Sequence, residues 1–321
     1  IWYSVWDEAT QSWWTPSGAE ADVVARINGD DHDPNIAFDR ISNSSICVWA
    51  HGTGNVSLGY DIFFSKWVDP FRNFLWTPPS PVASIGGDDV PGDDVDPAIA
   101  FDTNGWAITI WVHEFSNGTR VIYYSLWNST DWIGPAKPLV PLPDNWGEHR
   151  AALPEITFLS TPTVANISTV HKAIGIWTNE MDISMQYSIW NGTHWTSPAR
   201  VNGTYDVPVP SYSIPSEYRN GVSADKNGNA IAVWGTENCS EPIYYALWND
   251  TVSSWVVPAT LIDPLTPGYM PAIAFNSTND ATLVYADSNV IWCSQYKGLT
   301  GVWYAPASQA ADSSPTNVDL R

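Results

Sequence analysis

Four short, aromatic-rich landmarks recur in fixed order along the 321-residue chain, and their spacing constrains the fold more than any other feature. The first is an apolar run: Ile36-Ala37-Phe38-Asp39, Ile99-Ala100-Phe101-Asp102, Ile156-Thr157-Phe158, Val222-Ser223-Ala224-Asp225 and Ile273-Ala274-Phe275-Asn276. The second ends in an aromatic residue, at Trp49, Trp111, Trp177, Trp234 and Tyr285. The third has the form Tyr-Ser-x-Trp, starting at Tyr3, Phe64, Tyr124, Tyr187 and Tyr245, with a worn copy from Cys293 to Tyr296. The fourth is Trp-x-x-Pro, at Trp13, Trp76, Trp132, Trp195, Trp255 and Trp303, so successive copies lie 63, 56, 63, 60 and 48 residues apart.

Each landmark reads as a strand, being short, rich in Ile, Val, Trp and Tyr, and bounded by Gly, Asn, Asp and Pro. Tight turns such as Asp102-Thr103-Asn104-Gly105 and Asn191-Gly192-Thr193 make neighbours antiparallel, so one repeat is a four-stranded meander. The fourth strand carries proline and belongs at a sheet edge. Ala107-Ile108-Thr109-Ile110-Trp111-Val112 is apolar on both faces, which requires neighbouring sheets on both sides. Sheets that cover one another around an axis meet that requirement, and the expected fold is an all-β propeller of four-stranded blades. An immunoglobulin-type array competes but expects seven or more strands per domain. The repeats divide a single domain into blades at 34–80, 97–140, 153–200, 220–260 and 271–310, plus an extra hairpin within 1–20. A six-position ring with one incomplete blade is favoured, because Ser314-Pro315-Thr316-Asn317 resembles the Asp33-Pro34-Asn35 start of a first strand. A five-bladed ring with a surplus hairpin is the alternative.

Ser188-Ile189-Trp190-Asn191-Gly192-Thr193-His194-Trp195 resembles the Asp-box hairpin, Ser-x-Asp-x-Gly-x-x-Trp, of sialidase-like propellers, with the amide residue one place late. Ser125 to Trp132 and Ser4 to Trp13 are weaker copies. The resemblance implies the fold and its structural hairpins, not an activity. A sialidase-like enzyme also implies three arginines gripping a carboxylate, a Tyr/Glu nucleophile pair and an acidic proton donor. The family's Phe/Tyr-Arg-Ile-Pro strand is absent, although Arg26, Arg150 and Arg219 fall in the long inter-blade loops. Glu148-His149-Arg150 and Glu217-Tyr218-Arg219 are equivalently placed, either as a glycan-directed funnel or as Glu–Arg pairs tying loop to loop.

Charge narrows the partners. With 13 basic and 34 acidic residues the net charge is −21, which disfavours nucleic acid and anionic membrane surfaces. No apolar run approaches the ~18 residues that span a bilayer, so no membrane insertion is expected. Two acidic segments, Asp30-Asp31-His32-Asp33-Pro34 and Asp93-Asp94-Val95-Asp96-Pro97, read as loops whose carboxylates suit Ca²⁺, or else as turn caps with solvated charge. No motif demands any other cofactor. Cys47, Cys239 and Cys293 are too few for a disulfide scaffold and lack metal-ligand spacing; two or three free thiols are expected.

Asn-x-Ser/Thr occurs at Asn43, Asn55, Asn117, Asn128, Asn166, Asn191, Asn202, Asn238, Asn249 and Asn276, ten of 22 asparagines, none with proline between. The pattern reads as N-glycosylation of an extracellular or cell-surface protein, with good turn chemistry as the competing reason. Repeated tryptophans are expected as wedges between sheets. The first functional expectation is a non-enzymatic structural, adhesive or filament-forming module, associating with itself or with other surface proteins and glycans through the incomplete blade. The alternative is a glycan-binding or sialidase-like glycoside-hydrolase propeller.

Overall fold

The computed structural model describes residues 1, 3–7, 10–14, 28–52, 59–68, 75–82, 91–139, 150–159, 171–181, 184–201, 219–235, 242–262, 268–287 and 290–309. The chain forms two compact units, Ile1–Asn117 with Tyr123–Lys137, and Gly118–Ile122 with Pro138–Arg321. Every assigned element among the described residues is a strand.

The first unit opens with a hairpin, β1 (Val5–Asp7) and β2 (Ser12–Trp14), which forms its own two-stranded sheet. The next sheet holds β3 (Asp30–Asp39), β4 (Ser44–Gly52) and β5 (Tyr60–Val68). Its fourth position is split between β6 (Leu75–Trp76) and β7 (Ser80–Pro81), both paired with β5. The prolines around residues 78–81 withhold the donors a continuous strand needs. A second sheet runs in order β8 (Gly92–Phe101), β9 (Ala107–Phe115), β10 (Arg120–Trp127) and β11 (Trp132–Pro138). Three sheets of the same order belong to the second unit: β12 (Ala151–Phe158), β13 (Lys172–Asn179), β14 (Ser184–Asn191) and β15 (Ala199–Arg200); β16 (Asn220–Ala224), β17 (Ala230–Trp234), β18 (Tyr244–Asn249) and β19 (Ser254–Leu261); and β20 (Tyr269–Phe275), β21 (Ala281–Asp287), β22 (Val290–Lys297) and β23 (Val302–Gln309). The fourth strand is at an edge in each of these sheets, and β7, β11, β19 and β23 carry a proline whose missing N–H requires that place. Not every connection is tight: residues 159–171 separate β12 from β13, and 235–243 separate β17 from β18.

Strands apolar on both faces are buried on both. Along β17, Ala230, Ala232 and Trp234 pack with Ile174, Ile176 and Met185 of the preceding sheet. The intervening Ile231 and Val233 pack with Leu283 and Tyr285 of the following one. The period of two along a strand thus sends alternate residues into two separate cores. Small Ala and large Trp share the first core, as close packing of side chains of unequal size requires.

The third and fourth landmarks build a repeated aromatic clasp. Trp67 pairs in register with Trp76, Trp248 with Trp255 and Tyr296 with Trp303. A bridge joins Trp190 to Trp195. The rings of each pair meet at 5.4–5.7 Å centroid distance, Trp67–Trp76 and Trp248–Trp255 edge to face, as their quadrupoles favour, and the other two pairs tilted. Into the clasp goes the aromatic that opens the third landmark of the preceding repeat. Tyr3 meets Trp67 and Trp76, Phe64 meets Trp127 and Trp132, Tyr187 meets Trp248 and Trp255, and Tyr245 meets Trp303. The tryptophans are therefore wedges between sheets. The hairpin shares the scheme, since β1–β2 pairs Trp6 with Trp13 in the same register. It is a third-and-fourth-strand pair that covers the first face of sheet β3–β7 through Tyr3.

The serine of Tyr-Ser-x-Trp closes the same hairpin from within. Ser65, Ser188 and Ser294 are buried and donate to the carbonyls of Thr77, Thr196 and Tyr304, each the residue after the clasp tryptophan, at 2.6 Å. Thr77 and Thr196 reciprocate, accepting the N–H of Lys66 and Ile189 on their hydroxyls. In sheet β8–β11 Ile133 stands where Thr would, and the buried Ser125 hydroxyl has no hydrogen-bond partner among the described residues. In sheet β16–β19 Ala246 replaces the serine.

Candidate acidic–aromatic site at the start of the first strands

The acidic segments are strand, not loop. β3 starts at Asp30 and β8 at Gly92, several residues before the prolines taken as the blade boundaries. A proline cannot donate to the ladder, and both strands pass it by a bulge, between His32 and Asn35 and between Val95 and Ala98. The residue ahead of each proline takes a left-handed conformation: Asp33 at φ 51° and Asp96 at φ 52°. Leu153 before Pro154 and Met270 before Pro271 do the same in the second unit, so the bulge is a property of the first strand and not of aspartate.

Pairing continues beyond the bulge and sets Asp31 opposite His51 and Asp94 opposite His113. Asp31 Oδ1 accepts the indole N–H of Trp49 at 3.0 Å and lies 2.7 Å from His51 Nδ1. Asp94 Oδ1 lies 2.6 Å from His113 Nδ1, and the Trp111 indole approaches the same carboxylate without reaching hydrogen-bonding geometry. Burial pushes the Asp94 carboxyl above its ordinary range, with His113 opposing the shift. Glycine is obligatory beside both imidazoles. A Cβ on Gly29 would stand 2.5 Å from His51 Cε1 and one on Gly92 2.8 Å from His113 Nε2, each also striking a backbone carbonyl. The unit is thus a doubled Gly-Asp-Asp-x-Asp-Pro strand against a Trp-x-His strand.

Nearer the surface, Tyr60 links the two copies. Its hydroxyl donates to Asp30 Oδ2 and its backbone N–H to Asp93 Oδ1, both at 3.0 Å. The hydrogen bond to Asp30 raises the Tyr60 phenol. The His32 ring sits edge-on to Tyr60 at 4.5 Å, with Nδ1 2.6 Å from Asp33 Oδ2. That hydrogen bond raises the His32 pKa against burial, helped by the charges of Asp33, Asp30 and Asp96. Five of the six carboxylates named from sequence are thus engaged, Asp30 and Asp93 with Tyr60, Asp33 with His32, Asp31 with His51 and Asp94 with His113, while Asp96 sits in the bulge and acts on His32 through its charge. Among the described residues no group of three or more His, Cys, Asp or Glu side chains converges in a way that could hold a metal ion.

Of the funnel residues, Glu148 and Glu217 lie outside the described residues, as does Arg26. Arg150 is exposed at the start of the β12 sheet, its backbone bridged to Arg120 and its carbonyl accepting the Glu180 N–H at 3.0 Å. Arg219 is half-buried just before β16. Sequence reading missed the ion pair Arg120–Glu180, 3.3 Å apart and largely buried, and also Asn220, whose Nδ2 donates to the Leu153 carbonyl at 2.8 Å. Nothing in the spacing of those residues signals either contact. The Asp–His pairs did carry a signal in the repeated Gly-Asp-Asp and Trp-x-His strings.

Asn43, Asn128, Asn191, Asn249 and Asn276 fall in or beside first-to-second or third-to-fourth turns, at the end of each sheet away from the start of its first strand. Asn117 lies in the β9–β10 turn at the other end, and Asn55, Asn166, Asn202 and Asn238 lie outside the described residues. Cys47 and Cys293 are free thiols, burial pushing Cys47 up to about 12; Cys239 is outside the described residues.

No family model matches the chain, and no curated protein matches it in sequence. Solved structures do match. The leech intramolecular trans-sialidase superposes with a TM-score of 0.58 at 8% identity, over 86% of this chain and 60% of that one. The intramolecular trans-sialidase of Ruminococcus gnavus gives 0.58 at 9%, over 89% and 87%. The NanB sialidase of Streptococcus pneumoniae gives 0.59 at 10%, over 88% and 62%. The chain thus spans less than two thirds of the length of the leech and pneumococcal enzymes. At such identities the likeness is one of fold, and five four-stranded antiparallel sheets with their Asp-box-like hairpins make this chain an all-β protein with the sialidase-type β-propeller fold.

Proposed function

We propose that the chain is a secreted or cell-surface propeller that recognises carbohydrate at the acidic–aromatic site of its first unit. The observation that carries the reading is Tyr60 with His32 against it, flanked by Asp30 and Asp93. Sugar recognition needs an apolar ring face for the C–H groups and fixed acceptors for the hydroxyls. Here an aromatic pair supplies the first and carboxylates held by neighbouring donors supply the second. The neighbours in fold are sialidases and trans-sialidases, which favours a glycan ligand over other classes.

Charge selects the kind of glycan. The described site holds carboxylates and no arginine, in a chain of net charge −21. A sialic acid carboxylate would meet repulsion there, whereas an uncharged, hydroxyl-rich glycan would donate to the aspartates. The test is a glycan array followed by calorimetry on the hits, with Tyr60→Ala and Asp30→Asn. Neutral-glycan binding weakened tenfold or more in both variants is the expected result. No hits, or hits indifferent to both substitutions, would remove the reading. Turnover of a sialoside by the unaltered chain would replace recognition by catalysis.

A structural or assembly role is a second reading, favoured by β1–β2. That hairpin has the register of third and fourth strands, and among the described residues β1 pairs only with β2. Among the described residues the second edge of β1 has no partner strand, the arrangement that strand addition uses. Light scattering across a concentration series tests it: a particle that stays monomeric at every concentration excludes self-assembly.

A further inference from the structure

Three turns fold an asparagine in the same way. Asn128 Oδ1 accepts the Thr130 N–H at 3.1 Å, the Thr130 hydroxyl at 2.8 Å and the Asp131 N–H at 2.9 Å. Asn191 Oδ1 accepts from Thr193 N–H, Thr193 hydroxyl and His194 N–H at 3.0, 2.9 and 3.0 Å. Asn276 Oδ1 accepts from Thr278 N–H, Thr278 hydroxyl and Asp280 N–H at 2.9, 2.7 and 3.0 Å. In each case the hydroxyl comes from the threonine two residues on, the third position of an Asn-x-Thr sequon.

The turn itself needs only the oxygen. Asp102 and Asp225 occupy the place of Asn276 in the equivalent turns of two other sheets. Asp102 Oδ1 accepts the N–H groups of Asn104 and Trp106, both at 2.8 Å; Asp225 Oδ1 accepts those of Asn227 and Asn229 at 2.8 and 2.9 Å. A carboxylate therefore closes this turn as well as an amide does. Among the described residues the Nδ2 of Asn276 has no hydrogen-bond partner and is not buried, and the same holds at Asn128. The nitrogen is idle in the fold and open to substitution. At Asn191 the Nδ2 lies 3.0 Å from His194 Nε2, a contact that a substituent would displace.

We propose that Asn128 and Asn276 carry N-linked glycans, with Asn191 as a third acceptor that gives up its His194 contact when occupied. The co-reactant is a lipid-linked oligosaccharide phosphate. The Nδ2–C1 bond forms as the C1–O bond to phosphate breaks, the phosphate leaves with the electron pair, and Nδ2 releases one proton. Nothing is oxidised or reduced. Each of the three lies in a turn at the end of its own sheet opposite the end where that sheet's first strand starts, the end that in the first unit holds Tyr60 and Asp30. The inference does not depend on what that end binds.

The test is peptide mapping of the full chain purified from its native cells. Amidase release in heavy-oxygen water converts each glycosylated Asn to labelled Asp. Label at positions 128 and 276, lost at one site in Thr130→Ala and at the other in Thr278→Ala, is the expected result. Unmodified Asn128 and Asn276 throughout the population would overturn the proposal. A companion measurement needs no glycan: Asn276→Asp in protein made without glycosylation should melt within a degree of the parent, and a marked loss would show that Nδ2 is needed for the fold after all.

Discussion

Ser188 and Ser125 occupy the same place in two sheets, yet removing their hydroxyls should have opposite effects. Ser188 is fully buried, and its Oγ donates to the Thr196 carbonyl at 2.6 Å. Ser188→Ala leaves that carbonyl short of a donor inside the hairpin, at a cost of about 1–2 kcal/mol. Ser125 is also buried, but its hydroxyl has no hydrogen-bond partner among the described residues. Ser125→Ala removes a desolvated polar group and should be neutral or stabilising by up to about 1 kcal/mol. With a melting entropy near 2.1 cal/mol/K per residue, a chain of this length shifts by roughly 1.5 °C for each kcal/mol. Ser188→Ala should therefore lower Tm by about 1.5–3 °C, whereas Ser125→Ala should hold it or raise it by about 1 °C. Scanning calorimetry is the assay, because it also reveals whether the two compact units melt separately. If they do, the Ser188 effect belongs to the transition of the second unit. Equal losses in the two variants would refute the argument, since the residues would then be acting through packing alone.

Gly228 sits in the β16–β17 turn at φ +83°, and a Cβ there would lie 2.4 Å from the Leu159 carbonyl oxygen. Gly228→Ala should cost about 2 kcal/mol or more, read as a lowered denaturation midpoint. His32 should titrate above its ordinary value of 6.5 by NMR and fall back towards it in Asp33→Asn. The sign follows from a raised folded pKa: the His32–Asp33 contribution is complete below pH 6.5 and fades as pH rises through the folded value. Cys47, buried with its pKa at about 12, should resist a thiol reagent at pH 8 until the chain unfolds; labelling of native protein at Cys47 would contradict its placement.

Much of the fold was legible because its information is local. Prolines in Trp-x-x-Pro announced edge strands, and Asp102-Thr103-Asn104-Gly105 announced an antiparallel turn that closes with the Asp102 N–H on the Trp106 carbonyl at 2.8 Å. Proline misled at one point. Pro34 and Pro97 read as the end of a loop, whereas the left-handed Asp33 and Asp96 carry the strand past them. That displacement moved the acidic residues from loop to sheet, and with it their chemistry. The candidate site was half visible: its carboxylates were named, but Tyr60, His51 and His113 were not, because each meets its aspartate across 19 to 33 residues.

By itself the sequence determined the all-β class, the strand order within each repeat and the kinship of the first hairpin with the third and fourth strands. It could do so because alternation, turn residues and a period near 60 act over short stretches of chain. Only the tertiary structure decided which tyrosine enters which tryptophan clasp, that Asp94 is buried against His113, and that Arg120 pairs with Glu180. Those contacts join residues of different strands or different sheets, and the strength of a charge or ring contact depends on who surrounds it and how much water is excluded. No pattern within one repeat records its neighbours, and there the reading of residues gives way to the packing of sheets.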